Sequence, residues 1–369
     1  MYLTGLWLTD FRCYREAVLR FPPGITVVRG ANAQGKTSLL EAIAWAATGH
    51  SFRGVPDAAL VRSGCDAAIV RAEVADGDRV QLLEAEIRAS GRNRVRLNRQ
   101  PVTRARDRAE FVRVTVFAPD DLQLVKGGPG GRRGYLDDLL VAVAPRYAGI
   151  HTDYDRVLRQ RNALLRAGVR NADDHTTLEV FDGQLAHTGA ALATGRARLL
   201  DRLTPLVRAA YAELAGDDQP IVAAYESEWF EARPADDAST REQALLRALR
   251  EHRRAELDRR VTLAGPHRDE WRLQIGALDS RLHASQGEQR TLALALRIAS
   301  HRLTTDVLGS PPVLLLDDVF SELDERRATA LLAHLDAGQT IVTTAGDVPV
   351  GVHAARQLVI DGGRVEEAA

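Results

Sequence analysis

Apolar positions follow two rhythms along this 369-residue chain. ITVVR (25–29) is a short, nearly continuous apolar run, and AIVRAEV (68–74), VQLLEAEI (80–87), RVRLN (94–98) and FVRVTVF (111–117) lean toward alternation. These read as strands, with Asp76-Gly77 and Gly91 as turn signals between them. One helix interrupts them, beginning at Gly35-Lys36-Thr37 and stopped by Gly49. After the breaker KGGPGG (126–131) the spacing becomes helical. Leu136, Leu139, Leu140 and Val143 form one stripe, and Ile150, Tyr154, Val157, Leu158 and Leu165 another. TREQALLRALREHRRAELDRR (240–260) is a charged helix with a narrow apolar seam, a form that suits helix hairpins or short arms. Beyond Val261 strands and helices alternate again. PPVLLLDD (311–318) and QTIVTT (339–344) read as buried parallel strands, and Asp361-Gly362-Gly363 as a terminal hairpin turn.

This order predicts an α/β fold with a β-rich N-terminal lobe, a helical insertion and an α/β C-terminal lobe. Residues 1–128 and 262–369 are expected to form one discontinuous head, and 129–261 an inserted helical arm domain. Apolar residues at 45% and charged residues at 27% fit a chain that buries a core rather than a disordered one. A net charge of −1 argues against indiscriminate coating of DNA while leaving room for a local basic face. No run approaches the roughly 18 apolar residues of a membrane span. The opening MYLTGLWLTDFRCYRE has no signal-peptide apolar core, so a cytoplasmic protein without a membrane partner is expected. Cys13 and Cys65 form no metal or redox motif and read as structural thiols of a reducing compartment.

Lysine occurs only at Lys36 and Lys126; every other basic residue is arginine. Lys36 stands in Gly30-Ala31-Asn32-Ala33-Gln34-Gly35-Lys36-Thr37, followed by Ser38. This fits the phosphate-binding pattern GxxxxGK[ST] in its required context, a strand before and a helix after. Loop N–H groups and the helix N-terminus point at the anion. Lys36 is the residue for the β- and γ-phosphates of ATP, and Thr37 for Mg²⁺. Asp317, the first aspartate of VLLLDD, is the second Mg²⁺ residue. Asp318 follows it, where a carboxylate can orient or deprotonate an attacking water. Lys36, Asp317 and Asp318 are thus the catalytic candidates.

A second anion-binding device lies far away in Ala284-Ser285-Gln286-Gly287-Glu288-Gln289-Arg290, at the start of a helix. One nucleotide needs one phosphate loop, so the economical reading is that Ser285 and Gly287 serve an ATP held by another copy. This layout resembles the ATP-binding-cassette ATPases, with ASQGE at their signature position. The resemblance adds Glu288 to the signature, and Asp324 in SELD as the interfacial D-loop residue. Longer blocks narrow the likeness. DFRCYREAVLRF, GANAQGKTSLLEAI, GHSFRG, VFAPDDLQLVKGGPGGRRGYLD, AGPHRDEW, SQGEQRT and LLLDDVFSELDERR follow in the order of the RecF family, bacterial recombination mediators related to SMC heads. The likeness covers nearly the whole chain and is weakest between about 165 and 260.

The resemblance implies a phosphate-loop ATPase head, an ATP-dependent homodimer that clamps gapped or junction DNA, and slow hydrolysis that releases it. It also implies RecR and RecO as partners and RecA loading onto single strands as the indirect result. Arg12 in DFRCY and Arg53 in HSFRG match arginines that related heads place near phosphates or DNA; a solvated surface role is the other reading for each. Arg132, Arg133, Arg253, Arg254, Arg259 and Arg260 are candidate DNA-phosphate contacts, against the plainer reading of solvated helix faces. His267 is a site residue or a hydrogen-bonded structural histidine. Three departures stand out. Ala33 replaces a glycine, so the loop either keeps φ negative there or grips nucleotide less well. Asp318 stands where cassette ATPases carry glutamate, which predicts slow turnover. TTAGD (343–347) lacks their switch histidine, and Gln123 is the candidate for their Q-loop. A transporter ATPase and a small-metabolite phosphotransferase are the competing classes; the long insertion argues against the first and the signature segment against the second.

Overall fold

A computed structural model describes residues 1–102, 111–216, 219–231, 237–323, 325–332, 338–346 and 351–367. Its strands are β1 (Tyr2–Phe11), β2 (Tyr14–Arg20), β3 (Ile25–Arg29), β4 (Ala67–Asp76), β5 (Arg79–Arg88), β6 (Arg94–Leu97), β7 (Gln100–Pro101) and β8 (Val114–Phe117), then β9 (Ile221–Glu226), β10 (Glu270–Ile275) and β11 (Leu278–Asp279), then β12 (Val313–Asp317), β13 (Thr340–Thr344), β14 (Ala354–Asp361) and β15 (Arg364–Glu367). The chain divides into two compact units.

The first unit comprises Met1–Leu122, Ala209–Asp217 and Arg290–Ala369. It holds two six-stranded sheets. One is antiparallel, in the order β2-β1-β4-β5-β6-β7; the other runs β15-β14-β3-β13-β12-β8. In the second sheet β8, β12, β13, β3 and β14 are mutually parallel, and only β15 runs against its neighbour. β12 and β13 are buried at every position, as parallel strands covered on both faces must be. The helix α1 (Lys36–Thr48) is buried almost all round, through Leu39, Leu40, Ile43 and Trp45, because it packs among strands of both sheets. It ends at Gly49 with φ 88°, a left-handed cap that glycine adopts without a steric penalty. Gln339 ties the distant ends of the sequence together. Its side chain accepts from Leu3 N–H at 2.7 Å and donates to the Leu3 carbonyl at 2.7 Å.

The second unit comprises Gln123–Arg208 and Asp218–Gln289. The segments 123–128 and 262–289 cluster here rather than with the first unit, so its limits differ from the expected arm. Helices Pro129–Val143, Arg146–Ala167 and Ala238–Arg259 accompany a three-stranded antiparallel sheet, β11-β10-β9; β10 and β11 fall where strands and helices were expected to alternate, while β9 interrupts sequence read as helical. Trp271 on β10 stacks on Tyr135 with ring centroids 5.7 Å apart. The unit's core is unusually ionic. Arg161, fully buried, occupies the apolar stripe read from the sequence and pairs with Asp182 at 2.8 Å and Glu256 at 2.6 Å. Arg196 grips Asp137 with two hydrogen bonds of 2.7 Å.

Candidate nucleotide site

Three parallel strands bring the site together at their carboxyl ends, where open α/β sheets bind ligands. β13 lies between β3 and β12, in register so that Thr343 stands opposite both Asp317 and Val28. The phosphate loop leaves β3 directly after Arg29 and returns into α1. That helix has no side-chain N-cap, so the N–H groups of its first turn are left to an incoming anion. Lys36 is buried and folds back on its own loop, donating to the carbonyls of Gly30 at 2.8 Å and Ala31 at 2.9 Å. Thr37 donates its hydroxyl to Asp317 Oδ1 at 3.0 Å across a separation of 280 residues. Ala31, Asn32 and Ala33 form the exposed rim of the loop, and Ser38 sits in the first turn of α1 beside Cys13.

The loop's shape is fixed by close backbone approaches. A side chain at Gly30 would bring its Cβ to 2.4 Å from the Ile360 carbonyl, and one at Gly35, where φ is 118°, to 2.7 Å from Cys13 Sγ. Tyr14 donates to the Gly35 carbonyl at 2.9 Å. Gln34 reaches the terminal hairpin, accepting from Gly362 N–H at 2.6 Å. Ala33 does take a positive φ, 64°. The alternative in which the loop keeps φ negative there is therefore excluded, and the residue carries the left-handed penalty of about 1–2 kcal/mol.

Asp317 is buried, and burial pushes its carboxyl above the ordinary range against hydrogen bonds from Thr343 and Thr37. A Thr hydroxyl and one carboxylate side by side fit a hard octahedral cation that takes its remaining ligands from phosphate and water. Among the described residues no cluster of three or more metal-ligating side chains is present. Asp318 takes a left-handed turn, φ 50° and ψ 26°. Its N–H is held by the Thr343 hydroxyl at 3.0 Å and its Oδ1 accepts from Ala345 N–H at 3.4 Å. Thr343 escaped the sequence reading, although two polar residues closing an apolar strand were a usable signal.

The signature turn lies in the other unit. Ser285 and Glu288 make a reciprocal cap at the start of the helix Gln286–Leu308: Ser285 N–H donates to Glu288 Oε2 at 2.7 Å, and Glu288 N–H to the Ser285 hydroxyl at 3.3 Å. Hydrogen bonding by the Ser285 side chain, and then by its N–H, holds the Glu288 carboxyl below its usual range. Ser285, Gln286 and Gly287 are exposed. Asp324 lies outside the described residues.

Arg12 is committed within the head. Its guanidinium makes two 2.8 Å hydrogen bonds to Glu41, a fully buried carboxylate on α1, and a third to the Ala59 carbonyl. Glu41 also accepts from Ser51 of the GHSFRG segment, while Arg53 is exposed. A lone acid inside LLEAIAWAA was the sequence signal for Glu41. Several arginines read as DNA contacts are engaged in the second unit: Arg132 is buried on Glu270, Arg133 donates to the Asp269 carbonyl, and Arg253 pairs with Asp182. Arg254, Arg259 and Arg260 are exposed, as is Gln123. His267 is structural. Its Nε2 faces the Thr262 carbonyl and carries the proton, so Nδ1 accepts from the Tyr154 hydroxyl at 2.6 Å, and burial pushes the imidazole pKa down to about 4.

Comparison with known proteins accords with this geometry. Residues 2–354 match the model of the RecF/RecN/SMC N terminal domain. A DNA replication and repair protein RecF from Beutenbergia cavernae is 44% identical, the match covering 98% of each chain. Its counterpart from Streptomyces avermitilis is also 44% identical, over 99% of this chain and 100% of that one. The solved structure of the recombination mediator protein RecF with ATP, from the RecFOR pathway, superposes with a TM-score of 0.92 at 29% identity, over 100% of this chain and 98% of that one. An Smc head bound to the C-terminal winged-helix domain of ScpA matches with a TM-score of 0.57 at 18% identity, a likeness of fold. By its sequence from end to end and by its fold, this chain belongs to the RecF family of DNA replication and repair proteins, built on an ABC-type ATPase head.

Proposed function

We propose that this chain is an ATP-switched DNA clamp of recombinational repair. The observation that carries the reading is the Thr37–Asp317 contact at the carboxyl edge of the parallel sheet, beside a buried lysine whose ammonium donates to its own loop's carbonyls. Lys36 turns from those carbonyls to the β- and γ-phosphates of ATP, and the α1 N-terminus receives the phosphate charge. Thr37 and Asp317 hold Mg²⁺, which when bound neutralises charge on the phosphate oxygens. Asp318 orients the attacking water, and its short side chain makes turnover slow. Gly30, Ala31, Asn32, Ala33, Gln34, Gly35 and Ser38 line the triphosphate.

A second copy closes the site, its Ser285, Gly287 and Glu288 facing the γ-phosphate and its Asp324 at the interface. ATP then links the two copies, and its binding energy becomes association energy by linkage. Hydrolysis removes the bridging phosphate and releases the pair. In this scheme the unit that carries the phosphate loop acts as the head, and the unit of Gln123–Arg208 and Asp218–Gln289, which contains most of the expected arm 129–261, as the arm. The dimer holds duplex, gapped or junction DNA by its backbone without reading sequence, and acts with RecR and RecO to promote RecA loading. Among the described residues no helix is long and apolar enough to cross a membrane; the site of action in this reading is the cytoplasm.

Fluorescence anisotropy with labelled duplex, gapped and single-stranded oligonucleotides tests the reading. Tight binding that requires ATP and is lost in Lys36→Ala is expected. Equal binding without nucleotide, or by Lys36→Ala with ATP present, contradicts it.

A further inference from the structure

The strand β13 is hydrogen-bonded to both the phosphate-loop strand β3 and the Asp317 strand β12, so its carboxyl end lies between the two halves of the site. Cassette ATPases place a histidine in this region; here the sequence is Thr343-Thr344-Ala345-Gly346. Thr343 is fully buried, and its hydroxyl, with the Leu316 carbonyl as a further, longer acceptor at 3.4 Å, makes contacts of opposite sense. It donates to Asp317 Oδ1 at 2.9 Å and accepts from Asp318 N–H at 3.0 Å. The same Asp317 oxygen receives the Thr37 hydroxyl at 3.0 Å, so two hydroxyls on two different elements fix the carboxylate's orientation. The Thr343 carbonyl adds a second acceptor for Asp318 N–H at 3.1 Å. That N–H belongs to a non-glycine residue in the left-handed region, a conformation that persists only where its surroundings hold it. The carboxylate of Asp318 is reached from the same strand end, through Ala345 N–H.

We infer that Thr343 is a positioning residue of the ATPase site: its single hydroxyl aims Asp317 at Thr37 and at the same time holds Asp318 in its turn. One group thereby couples the metal-side carboxylate to the water-side carboxylate. The inference rests on the roles proposed above for Asp317 and Asp318, and goes beyond them by naming what sets their geometry. Chemistry selects the residue type. A hydroxyl both donates and accepts, valine of the same shape does neither, and serine does both.

The test compares Thr343→Val with Thr343→Ser in the full-length protein, reading ATPγS affinity with Mg²⁺ and in EDTA, together with kcat and KM for ATP. Thr343→Val is expected to need about tenfold more Mg²⁺ for half-maximal nucleotide binding, as losses of groups that orient metal ligands do. Its affinity in EDTA stays unchanged, and kcat falls about tenfold or more with KM little moved. Thr343→Ser stays within about twofold of the parent in every reading. A Thr343→Val protein with the parent's Mg²⁺ dependence overturns the inference. So does a Thr343→Ser protein as impaired as the valine, since that pattern reports packing. Where Thr343→Val does not fold, Thr343→Cys replaces it, with a thiol that donates and accepts weakly; an intermediate Mg²⁺ requirement is expected, and parental behaviour overturns the inference. Lys36→Ala and Asp317→Asn run alongside. If both bind nucleotide normally, the site reading itself fails; if both lose binding while Thr343→Val is neutral, only the role of Thr343 does.

Discussion

The hydroxyl of Thr37 and the carboxylate of Asp317 meet at 3.0 Å although 280 residues separate them in sequence. The contact joins the end of the phosphate loop to the end of β12 at one edge of the parallel sheet. Asp317 is also held by Thr343, so the side chains proposed as ligands of a cation and a triphosphate are largely in place.

Removing either partner is therefore expected to act on metal-dependent binding. Thr37→Ala and Asp317→Asn should each weaken ATPγS binding about tenfold or more in Mg²⁺ while changing it little in EDTA. Lys36→Ala should abolish binding in both conditions, because it removes the charge that meets the phosphates. Titration calorimetry separates the three.

Ala33 holds φ at 64° without glycine's freedom. Ala33→Gly relieves a left-handed penalty of about 1–2 kcal/mol and restores roughly half of it as chain entropy in the unfolded state. A net gain of about 0.5–1 kcal/mol is expected in a denaturant titration. A loss of stability would show that Ala33 is not strained.

Gly30→Ala is expected to do the reverse. The new Cβ meets the Ile360 carbonyl, a backbone atom that cannot rotate away, at 2.4 Å. Loop and terminal hairpin have to separate, so ATPγS affinity and melting temperature should fall together.

The second unit supplies a pH prediction. His267 is neutral in the fold, its pKa pushed down to about 4, while an unfolded histidine titrates near 6.5. As pH falls through that window the unfolded chain binds a proton that the folded one refuses, so acid favours unfolding. The loss attributable to this group is on the order of 3 kcal/mol between pH 6.5 and 4. His267→Gln should flatten the slope of stability against pH in that range, relative to the parent, whatever its stability at neutral pH.

Much of this architecture was legible from residue patterns. The strands at β3, β12 and β13 announced themselves as apolar runs because both faces of a parallel sheet are covered. Gly49 marked the end of α1, and Asp361-Gly362-Gly363 marked the closing hairpin. The phosphate loop and Asp317 were readable since their chemistry admits few residue types. What escaped had a different cause. β9, Ile221–Glu226, lies amid helical sequence and carries no strict alternation, whereas β10, Glu270–Ile275, does alternate polar with buried apolar residues and was a usable signal passed over. Arg161 and Glu256 are buried charges inside helices whose pattern assigns charge to the surface; only their pairing across the fold makes burial tolerable. Arg12, read by resemblance as a phosphate or DNA contact or else a solvated residue, hydrogen-bonds to Glu41, which sits 29 residues away on another element and gave no local signal of the pairing.

That ionic core is itself testable. Arg161→Met leaves Glu256 buried without its cation and Asp182 to Arg253, and breaking such a pair from one side costs about 3–5 kcal/mol. Adding Glu256→Gln should recover part of the loss, and thermal unfolding of the single and double variants reads the recovery.

The measurement closest to the centre of this account is sedimentation velocity with and without Mg·ATP, on the parent chain and on Ser285→Arg. The parent is expected to pass from monomer to dimer when ATP is added, and Ser285→Arg to remain a monomer while binding ATP with parental affinity. A parent that stays monomeric at saturating ATP, or a Ser285→Arg protein that dimerises as the parent does, would contradict a triphosphate shared between two copies.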